Sequence, residues 1–243
     1  MNQRQKKIIS LTEQAGEITI KELAKQLGVS EMTVHRDLDL LQAERYVYKK
    51  RGAAVFIETE DRDKSEFYAE EKRAIGRKAT ELVPDGASII FDNSTTALEC
   101  ARFLNREGKY TFYTTNLETA EILASYSGSV LYCSGGYYFP DSKGFVGAQA
   151  EAFISSVNAD ICFIGASGIT PDGTTTPYPM HTTLQKAIIA SAKTKILVCD
   201  HSKFDKKAME KICNLSEIDV IVTDSGLSAE TYERYSKFVK VIN

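Results

Sequence analysis

The chain has 243 residues, of which 43% are hydrophobic and 26% are charged, and its formal net charge is −3. This composition excludes a disordered or fibrous chain, and the small net charge means that nucleic-acid binding would have to rest on the distribution of charge. The five cysteines are odd in number and include no Cys-x-x-Cys pair, which argues against a disulfide framework or zinc site and favours buried free thiols.

The first 57 residues are predicted to form a DNA-binding domain. They carry ten basic and seven acidic side chains, a net +3, which leaves −6 for the rest of the chain. Residues 3–15 are predicted to form a helix with Ile8, Leu11 and Ala15 facing inward. We interpret this helix as the support of the motif that follows it.

The pattern after residue 18 is typical of a helix-turn-helix. The first helix has apolar residues at the i, i+3, i+4, i+7 spacing of an amphipathic helix: Ile20, Leu23, Ala24 and Leu27. Gly28 ends this helix, because glycine adopts a left-handed turn conformation at low cost. Ser30 can cap a second helix, whose inner stripe is Val34, Leu38 and Leu41.

The outer face of the second helix suggests DNA recognition. Arg36 can pair with guanine in the major groove, and the hydroxyls of Ser30 and Thr33 suit phosphates near a helix N-terminus. Two short strands, 47–49 and 53–57, around a basic turn predict a wing. The predicted DNA-binding residues are Ser30, Met32, Thr33, His35, Arg36, Lys49, Lys50 and Arg51. The alternative is a three-helix scaffold with solvated charges.

A charged run without apolar periodicity follows the wing. We interpret residues 58–74 as a linker, with a helix across 67–82 as a continuation that the pattern allows. The predicted organisation is therefore a DNA-binding domain at 1–57, a linker at 58–74 and an effector-binding domain at 75–243.

The remaining chain alternates short apolar runs with helical stretches. Strands are predicted at 88–91, 111–114, 130–133, 161–164, 196–199, 220–222 and 238–242. Helices are predicted at 96–104, 117–126, 148–157, 184–192 and 229–235. Apolar strands separated by helices indicate a mostly parallel sheet that is covered on both faces. The fold class is thus α/β, with a winged helix-turn-helix in front.

Small and polar residues follow the predicted strands, at the sheet edge where α/β proteins bind ligands. Ser94, Thr95 and Thr96 open a helix and can offer N–H and hydroxyl donors to a phosphate, and Lys203 can add positive charge. The predicted effector-binding residues are Asp92, Asn93, Ser94, Thr95, Thr96, Thr115, Asn116, Gly135, Gly136, Ser167, Asp200 and Lys203.

Two sets of motifs resemble one known family. Residues 29–38, VSEMTVHRDL, with Leu41 and a basic wing, resemble the DeoR family of bacterial sugar-operon regulators. An ordered series of motifs in the rest of the chain resembles the effector domain of that family, a domain that is itself similar to ribose-5-phosphate isomerase. The motifs are Asp92-x-Ser-Thr-Thr, Thr114-Thr115-Asn116, Gly135-Gly136, Val146-Gly147, Asp160, Gly165-Ala-Ser-Gly168 and Asp200-x-Ser-Lys203-Phe204. Ser94 stands where the family commonly has glycine. The resemblance implies a repressor that responds to a phosphorylated sugar.

Other motifs give weaker or negative signals. No nucleotide-binding glycine motif and no metal-ligand spacing occurs, so we expect no cofactor and no metal. His181 and His201 are interpreted as polar loop residues, with ligand contact left open. Residues 174–179 are expected to form a surface loop that could serve as a lid. Lys186 is either solvated or directed at the site.

Three functions compete at this stage. The first is a transcriptional regulator. We expect it to be cytoplasmic, since the sequence has no membrane-length apolar run and no signal-peptide core. The second is a sugar-phosphate isomerase with a DNA-binding domain, whose base could be Asp92, Asp160 or Asp200. The third is an architectural DNA binder with an inert C-terminal domain. The first is preferred, and paired operator half-sites would require a homodimer or higher oligomer.

Overall fold

The computed structural model describes residues 2–43, 46–56 and 68–243. The chain divides into two compact units, Met1–Arg62 and Asp63–Asn243, whose described residues are called the head and the body below. Among these residues, no helix combines the length and apolar character that crossing a membrane requires.

The head is a winged helix-turn-helix, as predicted. Its elements are α1 (Gln3–Ala15), β1 (Glu17–Thr19), α2 (Ile20–Leu27), α3 (Glu31–Ala43), β2 (Val47–Lys50) and β3 (Ala53–Phe56). The strands form an antiparallel sheet in the order β1-β3-β2, and β1 is an addition that the sequence analysis did not predict. Ile57, the predicted end of the second wing strand, lies outside the described residues.

The core of the head follows the predicted stripe on α3, and on α2 it does so except at Leu27, which is half-buried. Val34, Leu38 and Leu41 are fully or almost fully buried. On α1, however, the buried residues among the described side chains are Gln5, Ile8, Ile9 and Thr12, whereas Leu11 is half-buried and Ala15 is exposed. The inward prediction for Ala15 was wrong because the helix ends there, at Gly16.

The body contains eighteen strands and α-helices among the described residues. They are α4 (Ala69–Thr80), β4 (Ser88–Phe91), α5 (Thr95–Phe103), β5 (Thr111–Thr114), α6 (Leu117–Leu123), β6 (Val130–Cys133), β7 (Tyr137–Phe139), β8 (Gly144–Val146), α7 (Ala148–Ser155), β9 (Ala159–Ile164), β10 (Gly168–Thr170), β11 (Gly173–Thr176), α8 (Pro179–Ala190), β12 (Ala192–Val198), β13 (Glu210–Cys213), β14 (Val220–Val222), α9 (Ala229–Tyr235) and β15 (Lys240–Ile242). The predicted helical continuation of the linker is present as α4, whereas residues 58–67 lie outside the described part.

A seven-stranded parallel sheet organises the body, in the order β15-β14-β12-β9-β4-β5-β6. Successive side chains point to opposite faces, so Ile89 and Phe91 join one apolar cluster and Ile90 joins the other. Helices α4, α5 and α6 cover the first face, and α7, α8 and α9 cover the second. The predicted parallel α/β fold is confirmed.

Two small antiparallel sheets were not predicted. Strands β7 and β8 form a hairpin, and β10, β11 and β13 form a three-stranded sheet. The surface-loop prediction for 174–179 was wrong at Thr174, Thr175 and Thr176, which are at most 4% exposed in β11. Burial of these residues is possible because the hydroxyl of Thr175 donates to the Gly168 carbonyl and that of Thr174 contacts the Cys213 thiol.

Candidate functional site

The second helix of the head presents the predicted recognition surface. Gly28 has φ +64° in the left-handed region and closes α2, while the Ser30 hydroxyl accepts a hydrogen bond from the Thr33 N–H at 3.2 Å. Met32 and Arg36 are exposed, and His35 is half-buried. The inner stripe therefore orients the predicted reading residues toward solvent.

An ion pair between a buried carboxylate and a partly exposed arginine joins this helix to α1. Asp37 is only 3% exposed and accepts hydrogen bonds from the Arg4 guanidinium and, at 3.3 Å, from the Gln5 side-chain amide. A buried carboxylate needs such partners, so this contact sets how α3 lies on the head. Arg36 and Asp37 are adjacent in sequence but have separate roles, one exposed and one structural.

The wing lysines are paired with acidic side chains of the head. Lys49 Nζ contacts Asp39 Oδ1, and Lys50 Nζ lies 3.0 Å from Glu17 Oε2. Arg51 is exposed in the turn, beside Gly52 at φ +77°. These ion pairs are at the surface, where each contributes little stability and can exchange for a contact with phosphate.

In the body, Asp92 joins three segments at the carboxyl edge of the sheet. Its oxygens accept hydrogen bonds from the N–H groups of Ser94 and Gly165, both at 2.8 Å, and from the Gln185 amide at 3.2 Å. Asp92 is 1% exposed, and burial raises its pKa above the ordinary value against the lowering effect of these hydrogen bonds. Asp92 thus holds together the loops after β4 and β9.

The first turn of α5 lies at that edge, where Thr95 is half-buried and Thr96 is buried. The Ser94 hydroxyl caps the helix by accepting from the Ala97 N–H at 3.2 Å. The N–H groups of Thr95 and Thr96 belong to the first turn and have no carbonyl partner within the helix. Gly165 packs against Ser94 so closely that a Cβ on Gly165 would lie 2.4 Å from Ser94 Cβ. The structure therefore brings the two predicted loops into contact.

The side chains of Asn93, Thr115 and Asn116 are engaged within the protein. The Thr115 hydroxyl donates to Asn93 Oδ1 at 2.5 Å, and Asn116 donates to the Ser142 carbonyl at 2.8 Å while capping α6. The Asn116 bond attaches the β7–β8 hairpin to the strand ends, and the Thr115 bond joins the loops after β4 and β5. A Cβ on Gly144 would lie 2.4 Å from Asn93 Cγ, so the hairpin approaches closely.

The glycine and serine loops contribute mainly backbone. Gly135 is exposed, with nothing within 4 Å of an added Cβ, whereas a Cβ on Gly136 would lie 2.9 Å from the Val146 carbonyl oxygen. Ser167 is exposed, and its N–H donates to the Thr175 carbonyl at 3.0 Å. The structure therefore leaves the Ser167 hydroxyl at the surface of the edge.

The loop after β12 combines a buried carboxylate with two basic side chains. Asp200 accepts hydrogen bonds from the N–H and hydroxyl of Ser202 and is 1% exposed. His201 Nδ1 lies 2.8 Å from Asp224 Oδ2, and this hydrogen bond is the main reason that the His201 pKa is raised. Lys203 is half-buried, and among the described residues its ammonium has no hydrogen-bond partner.

Gln185 is a site residue that the sequence analysis missed. Its side-chain N–H donates to Asp92 and to the Gly165 carbonyl, while its buried Oε1 has no partner among the described residues. Lys186, which the sequence left as solvated or directed at the site, is exposed. The sequence gives little signal for Gln185, because it lies among other polar residues, between Leu184 and Lys186.

A recognition helix with a basic wing defines the class of winged helix-turn-helix DNA-binding proteins. Residues 4–60 match the DeoR-like helix-turn-helix domain, and residues 68–225 match the DeoR C-terminal sensor domain. The chain belongs to the DeoR family of transcriptional regulators.

Individual relatives span almost the whole chain. The glycerol-3-phosphate regulon repressor of Haemophilus influenzae is 32% identical over 90% of this chain and 88% of its own length. That of Escherichia coli is 31% identical over 92% and 90%. Among solved structures, ribose 5-phosphate isomerase A from Methanocaldococcus jannaschii is 21% identical, with a TM-score of 0.42, over 56% of this chain and 55% of the isomerase, about half of each.

Proposed function

We propose that this protein is a repressor of a carbohydrate-metabolism operon whose DNA affinity is controlled by a phosphorylated sugar. The observation that carries the proposal is the first turn of α5, with the half-buried Thr95 and the buried Thr96, at the same sheet edge as the unpaired ammonium of Lys203. N–H groups at a helix N-terminus and a lysine are complementary to a phosphate dianion.

The sheet order supports a single ligand that contacts both groups. Strand β9 lies between β4 and β12, so the loops after β4 and β12 are two strand spacings apart, roughly 10 Å. We propose that Thr95, Thr96 and Lys203 hold the phosphate and that Gly135 and Ser167 border the remainder of the ligand. Asp92, Asn93, Ser94, Thr115, Asn116, Gly136 and Asp200 then serve to position these loops.

The regulator is favoured over the isomerase for a physical reason as well as by its family. Asp92 and Asp200 are each 1% exposed and already accept internal hydrogen bonds, so neither is placed as a free general base. Asp160 lies at the start of β9, at the opposite end of the sheet, where hydrogen bonds from Ser88 lower its pKa. Two relatives are named as glycerol-3-phosphate regulon repressors, which supports a phosphorylated effector.

The mechanism that we propose is a linkage between the two ligands. The sugar phosphate changes DNA affinity only if it binds one conformation or assembly more tightly than another. We further propose a homodimer or higher oligomer on DNA, because paired half-sites about 34–36 Å apart require two recognition helices. Repression relieved by the effector follows if the ligand-bound assembly no longer matches this spacing.

The experiment is a thermal unfolding assay with a panel of phosphorylated sugars, their unphosphorylated counterparts and inorganic phosphate. At about 100 times Kd, binding adds roughly 2.7 kcal/mol, which corresponds to a rise in Tm of about 5–11 °C. Thr95→Ala and Lys203→Ala should reduce this shift. The matched control is Lys193→Ala, an exposed lysine at the start of β12 and thus at the opposite end of the sheet. A panel that gives no shift, with protein that still binds its operator, would contradict the proposed effector class.

A further inference from the structure

Most polar side chains of α3 and its cap are already engaged within the head. Ser30 pairs with Thr33, Asp37 with Arg4 and Gln5, Asp39 with Lys49, and Gln42 with the Lys49 N–H. In the free head these contacts occupy most hydroxyl, carboxylate and amide groups of the helix, so reading a base with one of them requires an exchange of partners. Base recognition without such an exchange depends on the side chains that remain.

Besides Glu31 and His35, three exposed side chains of α3 remain, and they form a stripe that is more apolar than polar. Met32 is 76% exposed and Leu40 is 50% exposed, and Arg36 lies between them at intervals of four residues. Residues four apart lie on the same side of a helix, separated by about 6 Å along its axis. Among the described residues, Arg36 has neither a hydrogen bond nor an ion pair.

Single exposed hydrophobic residues are ordinary, so exposure of Met32 alone would not distinguish it. Its position does, because it is the second residue of α3 and the N-terminal residues of a recognition helix contact base edges. The apolar feature of the major groove is the C5-methyl group of thymine. A flexible thioether side chain suits contact with such a group.

We propose that Met32 is a specificity-determining residue that reads a thymine methyl group beside the guanine read by Arg36. The two side chains are about 6 Å apart along α3, which corresponds to about two base-pair steps of 3.4 Å. The operator half-site should therefore contain a thymine within two base pairs of that guanine. This inference rests on the proposed DNA recognition by α3 and is independent of the effector.

The experiment begins with selection of duplexes from a random library by the full-length protein without effector. Each thymine of the selected half-site is then replaced by deoxyuridine, which removes only the methyl group. At one position the wild type should lose about fourfold in affinity, the factor expected for one buried methyl group. Met32→Ala and Met32→Gln should bind the thymine and deoxyuridine duplexes equally, whereas Arg36→Ala should keep the difference.

Met209→Ala is the matched control, because Met209 is 71% exposed in the body. It should show the same deoxyuridine penalty as the wild type. The proposal is overturned if the Met32 variants keep that penalty, or if no thymine of the half-site is sensitive. An enriched, Arg36-dependent sequence without a sensitive thymine overturns the role of Met32 alone. A selection without any enriched sequence overturns DNA recognition by α3, and with it both proposals.

Discussion

Replacing Asp92 with asparagine perturbs the point where three segments of the carboxyl edge meet. The carboxylate accepts from the N–H groups of Ser94 and Gly165 at 2.8 Å each and from Gln185 at 3.2 Å. Asparagine keeps one acceptor oxygen but turns an NH2 group toward one of the two backbone donors. A buried donor left without an acceptor costs about 1–3 kcal/mol.

Two effects place the expected loss in free energy of unfolding for Asp92→Asn in the lower part of that range, at about 1–2 kcal/mol. The substitution removes a buried charge, whose desolvation raises the Asp92 pKa. It also allows the unpartnered Oε1 of Gln185 to accept from the new NH2 group. Asp92→Ala leaves both backbone donors unpaired and should cost roughly twice as much. In thermal unfolding, Asp92→Asn should lower Tm by about 2–8 °C.

Asp85→Asn is the control for this prediction. Asp85 also accepts from a backbone N–H, that of Lys109 at 3.0 Å, but it is exposed and water can replace the bond. Its substitution should change stability by no more than about 0.5 kcal/mol. Equal Tm values for the Asp92 and Asp85 variants would refute the assignment of Asp92 as the residue that holds the strand-end loops together.

Three further predictions concern charged side chains. Arg36→Ala should cost about 1–3 kcal/mol in operator affinity and relax base preference at one position, measured by fluorescence anisotropy with single-base operator variants. Lys50→Ala should weaken binding to all duplexes alike and reduce the salt slope by about one. Glu17→Gln, which frees Lys50 from its ion pair, should strengthen binding to all duplexes. Stronger binding by Lys50→Ala together with weaker binding by Glu17→Gln would exclude a phosphate contact. Hydrogen bonding to Asp224 raises the His201 pKa, so its stabilising contribution is complete below about pH 6.5 and is lost as pH rises through the raised pKa. His201→Gln should therefore lower Tm more at about pH 6 than at about pH 8.5, and an equal loss at both would contradict this contribution.

The sequence was sufficient to predict the parallel sheet because buried parallel strands are short, continuous apolar runs. Residues 88–91, 111–114, 130–133 and 220–222 have the predicted limits. The limits of α8 were less accurate, since it begins at Pro179 rather than at residue 184. Proline is well suited to the first turn of a helix, but the threonine run that precedes it is typical of a loop, and the loop was therefore predicted to extend to residue 179.

The sheet that contains β11 could not be predicted from local pattern. Its three threonines look like loop residues, and their burial depends on pairing with β13, which lies more than thirty residues later. Strand propensity of threonine is realised only when such a partner is present.

Residue type indicated which polar side chains gather at the carboxyl edge, but not where each one points. Asn93 and Asn116 are residue types that often contact ligands. In the structure, however, Asn93 is hydrogen-bonded to Thr115, and Asn116 is hydrogen-bonded to the Ser142 carbonyl. Gln185 reaches the edge from α8, and helix phase alone did not distinguish it from Lys186. Side-chain direction at a strand end depends on neighbouring loops, which a single sequence does not specify.

The most direct test of the account is the operator affinity of the full-length protein with and without a phosphorylated sugar, at one fixed salt concentration. We predict that one phosphorylated sugar changes the Kd for the operator by about 5- to 150-fold, while its unphosphorylated counterpart leaves it unchanged. The Lys203→Ala variant should require a higher concentration of the sugar for the same change in operator Kd. Without the sugar, it should bind the operator as the wild type does. A phosphorylated sugar that raises Tm but leaves the operator Kd unchanged would contradict control of DNA binding by the body.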